Sequence, residues 1–306
     1  MLHRRAALVS GLAGLAAANA RAAGLYPLAT RSLMLDVARA GEALIAVGER
    51  GFILKSIDAG ATWSQVMSPV DVMLTAAVFV DGARGFAVGH DGTILTTSDA
   101  GSSWSIVRQD PDGETPLFDV HFNDTERGYA VGAFGLLLTT TDGGVTWTEG
   151  RISGEEPHIY SIARRGDRLW AAGEAGALFE SEDDGATWVT VTSSPYEGSY
   201  FGLLPLRDGG ILLFGLRGNL YRSDDDGGTW AAIATNVDAT LQGGVELPEG
   251  GVVIAGLGGS VLSSRDGRTF EAATLPGRES LSSVIAVANG KILLSGEGGV
   301  RLWSGP

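Results

Sequence analysis

The sequence predicts an all-β chain folded as a seven-bladed β-propeller of four-stranded blades, from two repeating signatures and their spacing. The first signature is an acidic turn that ends in tryptophan: S-I-D-A-G-A-T-W (Ser56 to Trp63), then T-S-D-A-G-S-S-W, T-T-D-G-G-V-T-W, S-E-D-D-G-A-T-W and S-D-D-D-G-G-T-W, ending at Trp104, Trp147, Trp188 and Trp230. A degraded sixth copy, S-S-R-D-G-R-T-F, places Arg265 at the aspartate position and Phe270 at the tryptophan position. The intervals between these aromatic residues are 41, 43, 41, 42 and 40 residues, and a period this regular marks a repeat architecture. The second signature, a G-x-x-G pair upstream of each turn, occurs seven times, from Gly48/Gly51 to Gly296/Gly299, and sets the blade count.

Each repeat reads as four short strands. In the third they are L-F-D-V-H-F, G-Y-A-V-G, L-L-L-T-T and T-W-T-E, separated by N-D-T-E-R, A-F-G and D-G-G. Four β-prone runs in a little over forty residues, joined by glycine and aspartate turns, make one propeller blade, and ring closure removes exposed sheet edges. The turn aspartates Asp58, Asp99, Asp142, Asp183 and Asp225 are expected to accept hydrogen bonds from turn amides while glycine takes the left-handed backbone angles. The aromatic rings that follow are expected to bury between blades. The seventh repeat supplies only three strands, Leu281 to Ala288, Lys291 to Ser295 and Val300 to Trp303. Its fourth is expected from Leu25 to Arg31, closing the ring by pairing N- and C-terminal strands.

The chain begins M-L-H-R-R, runs through small apolar residues to Ala18, and offers A-N-A and A-R-A before Gly24. This is the pattern of an export signal over residues 1–23, too short to span a bilayer, leaving a single propeller domain over 24–306. The expected location is the periplasm, or the thylakoid lumen in a photosynthetic host, with no membrane insertion of the mature chain. Losing the signal deepens the net charge of −14 to −17, since Arg4, Arg5 and Arg21 leave and no acid does. Such a surface excludes nucleic acid as a partner. With no cysteine, disulfides are excluded and stability must come from an apolar core, which a chain of this length can bury. A monomer is expected.

With G-F-A-V-G-H-D-G-T-I-L (Gly85 to Leu95) and G-Y-A-V-G-A-F-G-L-L-L (Gly128 to Leu138), each followed by an acidic turn and tryptophan, the chain resembles the Asp-box (BNR) propellers. More narrowly it resembles the photosystem II stability/assembly factor family, over essentially all of the mature chain. The resemblance implies a non-catalytic protein that binds a reaction-centre membrane protein during assembly. It also implies an arginine-rich surface patch, and arginines do occur in first-to-second-strand turns: Arg39, Arg84, Arg127, Arg164, Arg165, Arg168 and Arg207.

No catalytic, cofactor or metal site is expected. The turn aspartates recur around a ring and cannot converge on one substrate. D-P-D-G-E (Asp110 to Glu114) lacks the alternating ligands of a calcium loop, and His90, His121 and His158 come from three repeats without metal spacing. There is no nucleophile elbow and no phosphate-cradling loop. The enzymatic alternative is a glycoside hydrolase, which needs only two acids; Asp119 and Glu246 on inner strands are the candidates, while the arginine signature of sialidases is absent. The binding reading rests on the face that carries the second-to-third-strand turns and the connections between blades. There Arg50, His90, Phe134 and Arg217 sit in the turns and Tyr196 in a long connection, a mixture of aromatic residues and arginine that suits a protein interface.

Overall fold

A computed structural model describes residues 25–110, 113, 115–287 and 290–305. The segment read as an export signal, and most of D-P-D-G-E, lie outside the described residues. Seven antiparallel sheets are arranged in a ring, six of four strands and one of three, each a simple meander. The innermost strands are Met34–Ala40, Leu74–Phe79, Leu117–Phe122, Ile159–Arg165, Tyr200–Pro205, Leu241–Glu246 and Leu281–Ala286. Each touches the next, and the seventh touches the first.

The chain builds seven cores, one at each blade interface. The interface of blades two and three holds Phe86, Val88, Ile94, Leu117, Val120, Ala130 and Leu138, with Trp147 packed against them. The second strands, such as Gly128–Gly132, are buried along their whole length, save for Arg168 at the start of the fourth, because their two faces meet two different interfaces. That double burial accounts for the unbroken apolar runs A-L-I-A-V, F-A-V and L-W-A-A, where a solvated sheet would alternate. Outermost strands such as Thr148–Arg151 are exposed throughout.

The two glycines of each pair serve different ends. Gly132 is extended at φ −161°, and a Cβ there would lie 2.2 Å from the Pro116 carbonyl oxygen; the space, not the dihedral, demands glycine. Gly135 closes a 3-10 turn at φ +68°, the left-handed region glycine enters freely.

Ring closure departs from the expected strand. Ala29–Arg31 form a 3-10 turn, and the seventh blade keeps three strands. The segment does dock where the strand was expected. Ala29 is buried with Val37, Leu293, Trp63 and Val300, Tyr26 donates its backbone N–H to Gln65 Oε1 at 2.8 Å, and the Tyr26 ring lies 5.4 Å from that of Phe52. Pro27 lacks a backbone N–H for a ladder, so the segment caps the joint by side-chain packing.

Candidate functional site

Each acidic turn is a closed hydrogen-bond unit. Thr140 Oγ1 donates to Asp142 Oδ1 at 2.8 Å, the Thr146 N–H donates to the same oxygen at 2.9 Å, and Thr146 Oγ1 donates to Oδ2 at 2.6 Å. The bonds hold Asp142 at about 2, with the Thr146 hydroxyl the chief cause. Asp58, Asp99, Asp183 and Asp225 repeat the arrangement. The sixth turn corrects the sequence reading. Asp266, not Arg265, occupies the aspartate role, accepting from Ser264 Oγ at 3.0 Å and from the Thr269 N–H at 2.9 Å. The turn is one residue shorter, and strict alignment from its end misplaced the acid. The box aromatics pack as expected: Trp147 lies edge-on to Phe86 of the preceding blade, centroids 6.2 Å apart, and Phe270 joins the core of blades five and six.

The arginines of this face are spent on contacts within and between blades. Arg127 Nη1 meets Asp184 Oδ2 at 2.8 Å and Arg164 Nη1 meets Asp184 Oδ1 at 2.7 Å. Arg165 pairs with Asp226, Arg84 donates to the Thr125 carbonyl at 2.7 Å, and Arg268 grips Asp224 at 2.6 Å. Glu246 accepts the Arg207 N–H at 3.0 Å. Of the arginines expected to form a basic patch, Arg127, Arg164 and Arg165 are paired with aspartates of the acidic turns, Arg168 with Glu180 and Glu182 and Arg207 with Glu246, while Arg39 and Arg84 donate to carbonyls of the adjoining blade.

The opposite face has a different character. Second-to-third-strand turns contact the connections directly, as where the Gly135 N–H donates to the Pro157 carbonyl at 2.7 Å. Each innermost strand carries a register irregularity near its start, on the side of this face. The irregular residues Phe118, Tyr160 and Phe201 are turned into the central channel, where they line a cavity of about 280 Å³ together with Asp36, Asp119, Gln242 and Ser283. The channel is two-sided: blades three to five give it an aromatic wall, and the other blades line it with Gln242, Ser282, Ser283, Asp36 and Thr75, Leu35 being an apolar exception.

The aromatic wall continues onto the rim. Phe201 lies 4.9 Å from Tyr160, Tyr160 5.2 Å from Phe118, Phe118 6.2 Å from His158 and His158 4.8 Å from Phe134. Phe134 remains 48% exposed although its φ is +54°. Its N–H donates to His158 Nδ1 at 2.9 Å, which places the proton of the neutral imidazole on Nε2 and ties rim to wall. The expected interface residues fare unequally. Arg50 and Arg217 occupy the same left-handed turn position as Phe134 and are exposed, with no ion pair among the described residues. His90 is exposed one residue earlier in its turn; Asp91 takes the left-handed position. Tyr196 is not a free anchor. It is partly buried against Tyr200 and Tyr221 at 6.2 and 6.4 Å, and its backbone N–H donates to the Tyr200 hydroxyl. Phe118, Tyr160 and Phe201 were missed, though alignment of L-F-D-V, I-Y-S-I and Y-F-G-L shows an aromatic at one position in three successive repeats.

Two carboxylates line the same channel. Asp36 accepts from Ser283 Oγ of blade seven at 2.8 Å and from the Ala77 N–H of blade two at 2.9 Å. Asp119 accepts from its neighbour Val120 at 2.8 Å and from the Ile162 N–H of blade four at 2.9 Å. Burial raises both, Asp119 to about 7 with Asp36 adding to it. Glu246 stands at the far end of its strand, beside Arg207, outside the cavity that Asp119 lines, so the two acids named for a hydrolase do not share one site. Among the described residues no group of three or more His, Asp and Glu side chains is placed to hold a metal ion.

The profile of the family described as photosynthesis system II assembly factor YCF48 matches residues 109–265, just over half of the chain. The chain belongs to this family. Among solved structures, a YCF48 bound to a D1 peptide matches with a TM-score of 0.73 at 20% identity, covering 92% of this chain and 95% of that one. YCF48 from Cyanidioschyzon merolae matches at 0.71 and 17%, covering 91% and 97%. A streptogramin B lyase matches at 0.76 but 11%, covering 90% and 95%, so the propeller by itself does not separate assembly factors from enzymes. No curated protein matches the sequence. Family membership rests on the repeat signature of the middle blades, the same blades that carry the aromatic wall.

Proposed function

We propose that this member of the photosystem II assembly factor family is an exported, non-catalytic protein that holds a segment of a membrane protein on the face opposite the acidic turns. The observation that carries the reading is the continuous aromatic row from Phe201 in the channel to half-exposed Phe134 on the rim. Aromatic surface beside unpaired arginines is what interface hot spots are made of, and Arg50 and Arg217 stand on the same rim. A relative solved with a D1 peptide supports a peptide segment as the ligand, from a reaction-centre protein or its counterpart in the envelope. The opposite face offers a partner few free cations, because its arginines are committed to acids between blades. A glycoside hydrolase needs two acids about 5 to 10 Å apart, which this placement of Asp119 and Glu246 does not favour. The basic residues before the apolar run and the small-residue cleavage pattern support export to the periplasm or lumen.

The test is capture of the partner from detergent-solubilised envelope by the mature chain, followed by affinity measurement. Phe134→Ala/Arg217→Ala should weaken binding about thirtyfold, since a hot-spot truncation costs about 2 kcal/mol. Arg84→Ala/Arg127→Ala should leave it within about threefold of the parent. The reverse pattern, in variants that melt as folded proteins, would move the interface to the acidic-turn face.

A further inference from the structure

The channel mouth holds a feature that a generic peptide-binding face does not require. Its aromatic wall of Phe118, Tyr160 and Phe201 faces a cavity that also contains the carboxylates of Asp36 and Asp119, and no lysine, arginine or histidine lines it. Every donor those carboxylates receive is neutral: backbone amides and the Ser283 and Ser161 hydroxyls. Neither forms an ion pair among the described residues, whereas Asp184, Asp224 and Asp226 on the opposite face each hold an arginine. Both residues are half-buried and line the channel cavity. The site therefore concentrates negative potential, from two carboxylates and from ring faces, in a space sized for one or two side chains.

We propose that the channel mouth is a binding site for an organic cation, a lysine or arginine side chain of the partner segment, held between the rings of Phe118, Tyr160 and Phe201 and the carboxylates of Asp36 and Asp119. Ring faces attract an ammonium or guanidinium group, and more strongly when it is desolvated. The carboxylates supply the counter-charge that a buried cation needs. The polar wall, with Gln242 and Ser283, offers acceptors for its remaining N–H groups. Rim and channel then read opposite charges: Arg50 and Arg217 meet acidic groups of the same segment while a base enters the channel. Asp36 is the charged group that faces Asp119; His121 and Arg164 lie farther along the same strands towards the other face. With Asp119 titrating at about 7, affinity for a cation rises with pH as that carboxylate ionises. The proposal rests on the assignment of the binding face, and its test is independent of any natural partner.

The probe is acetyl-Gly-Lys-Gly-amide, compared with the same peptide acetylated on the lysine amine, titrated into the mature chain at low salt and followed by NMR and calorimetry. The lysine peptide should bind in the millimolar range, at least about tenfold more tightly than its acetylated form. Its affinity should increase from pH 6 to pH 8. Tyr160→Leu and Asp36→Asn should each weaken it about fivefold or more, and Asp119→Asn should abolish the pH dependence. Equal affinity of the two peptides, no binding at millimolar concentration, or full affinity in folded Tyr160→Leu would overturn the site. If the peptides fail while Phe134→Ala/Arg217→Ala still loses the captured partner, the face stands and the cation site falls. If the lysine peptide binds and the rim variants lose nothing, the face assignment falls alone.

Discussion

Asp119 and His121 sit two positions apart on one inner strand, and burial drives them in opposite directions. Asp119 is raised to about 7, and His121 is lowered to about 4 by burial, with the nearby Arg164 charge adding to it. Between about pH 4 and pH 6.5, folded Asp119 keeps a proton that the unfolded chain releases, so its contribution to stability falls as pH rises. Folded His121 stays neutral where the unfolded chain takes a proton, so its contribution rises with pH. The two slopes oppose; Asp36, also raised, sides with Asp119. Relative to the parent, Asp119→Asn should therefore shift the slope of melting temperature between about pH 5 and about pH 7 upward, and His121→Gln should shift it downward, each measured by calorimetry. Parallel profiles in the two variants would contradict the assignment. The turn aspartates act lower: Asp58, Asp99, Asp142 and Asp266 are held at about 2, so their support is full above the usual carboxylate range and is lost as pH falls towards 2.

At the scale of the element, the blade interface is the unit of stability. Trp147 wedges against Phe86 and Phe122 at 6.2 and 5.9 Å, and its indole N–H finds no acceptor. The ring serves as volume, not as a donor. Trp147→Ala should cost about 3 kcal/mol in denaturant unfolding and Trp147→Phe less than half of that, as Phe270 already fills the equivalent place at the interface of blades five and six. A wild-type midpoint for Trp147→Ala would refute the packing account. Gly132→Ala tests the inner joint. A methyl 2.2 Å from a backbone oxygen forces the first strand off the second, and about 2 kcal/mol or more should be lost. Gly154→Ala, with no atom within 4 Å of the added carbon, should change little.

At the scale of the whole molecule, seven cores in a ring need a closing joint, and it is apolar. Leu293 of the last blade fills the space over Gly60 in the first acidic turn, and Asp36 accepts from Ser283 across the same seam. Because Leu25 to Ser32 cap this joint without adding a strand, a chain beginning at Leu33 should still fold as the ring. It should melt only a few degrees lower by calorimetry, the cost of losing buried Ala29 and uncovering Val300 and the Trp63 edge. Wholesale unfolding of that truncation would restore the strand-closure reading.

The blade count, the strand order, the role of the turn aspartates and the burial of the tryptophans were all determined by the sequence alone, since each depends on contacts within one repeat or between adjacent repeats. A period of about 42 residues writes such contacts out several times over. What lies between distant repeats was decided only by the tertiary structure. Phe118, Tyr160 and Phe201 are some 42 residues apart and look like ordinary strand residues until the register irregularity turns them into one channel. Tyr196 looks like an exposed anchor until the long connection folds it onto Tyr221. The arginines of the first-to-second-strand turns look like a basic patch until the curvature of the ring brings Asp184, Asp226 and Glu246 against them. In each case the physical reason is the same: a local pattern specifies which face of a strand is apolar, whereas the company kept by a polar or aromatic side chain at a blade edge depends on how the next blade is set beside it.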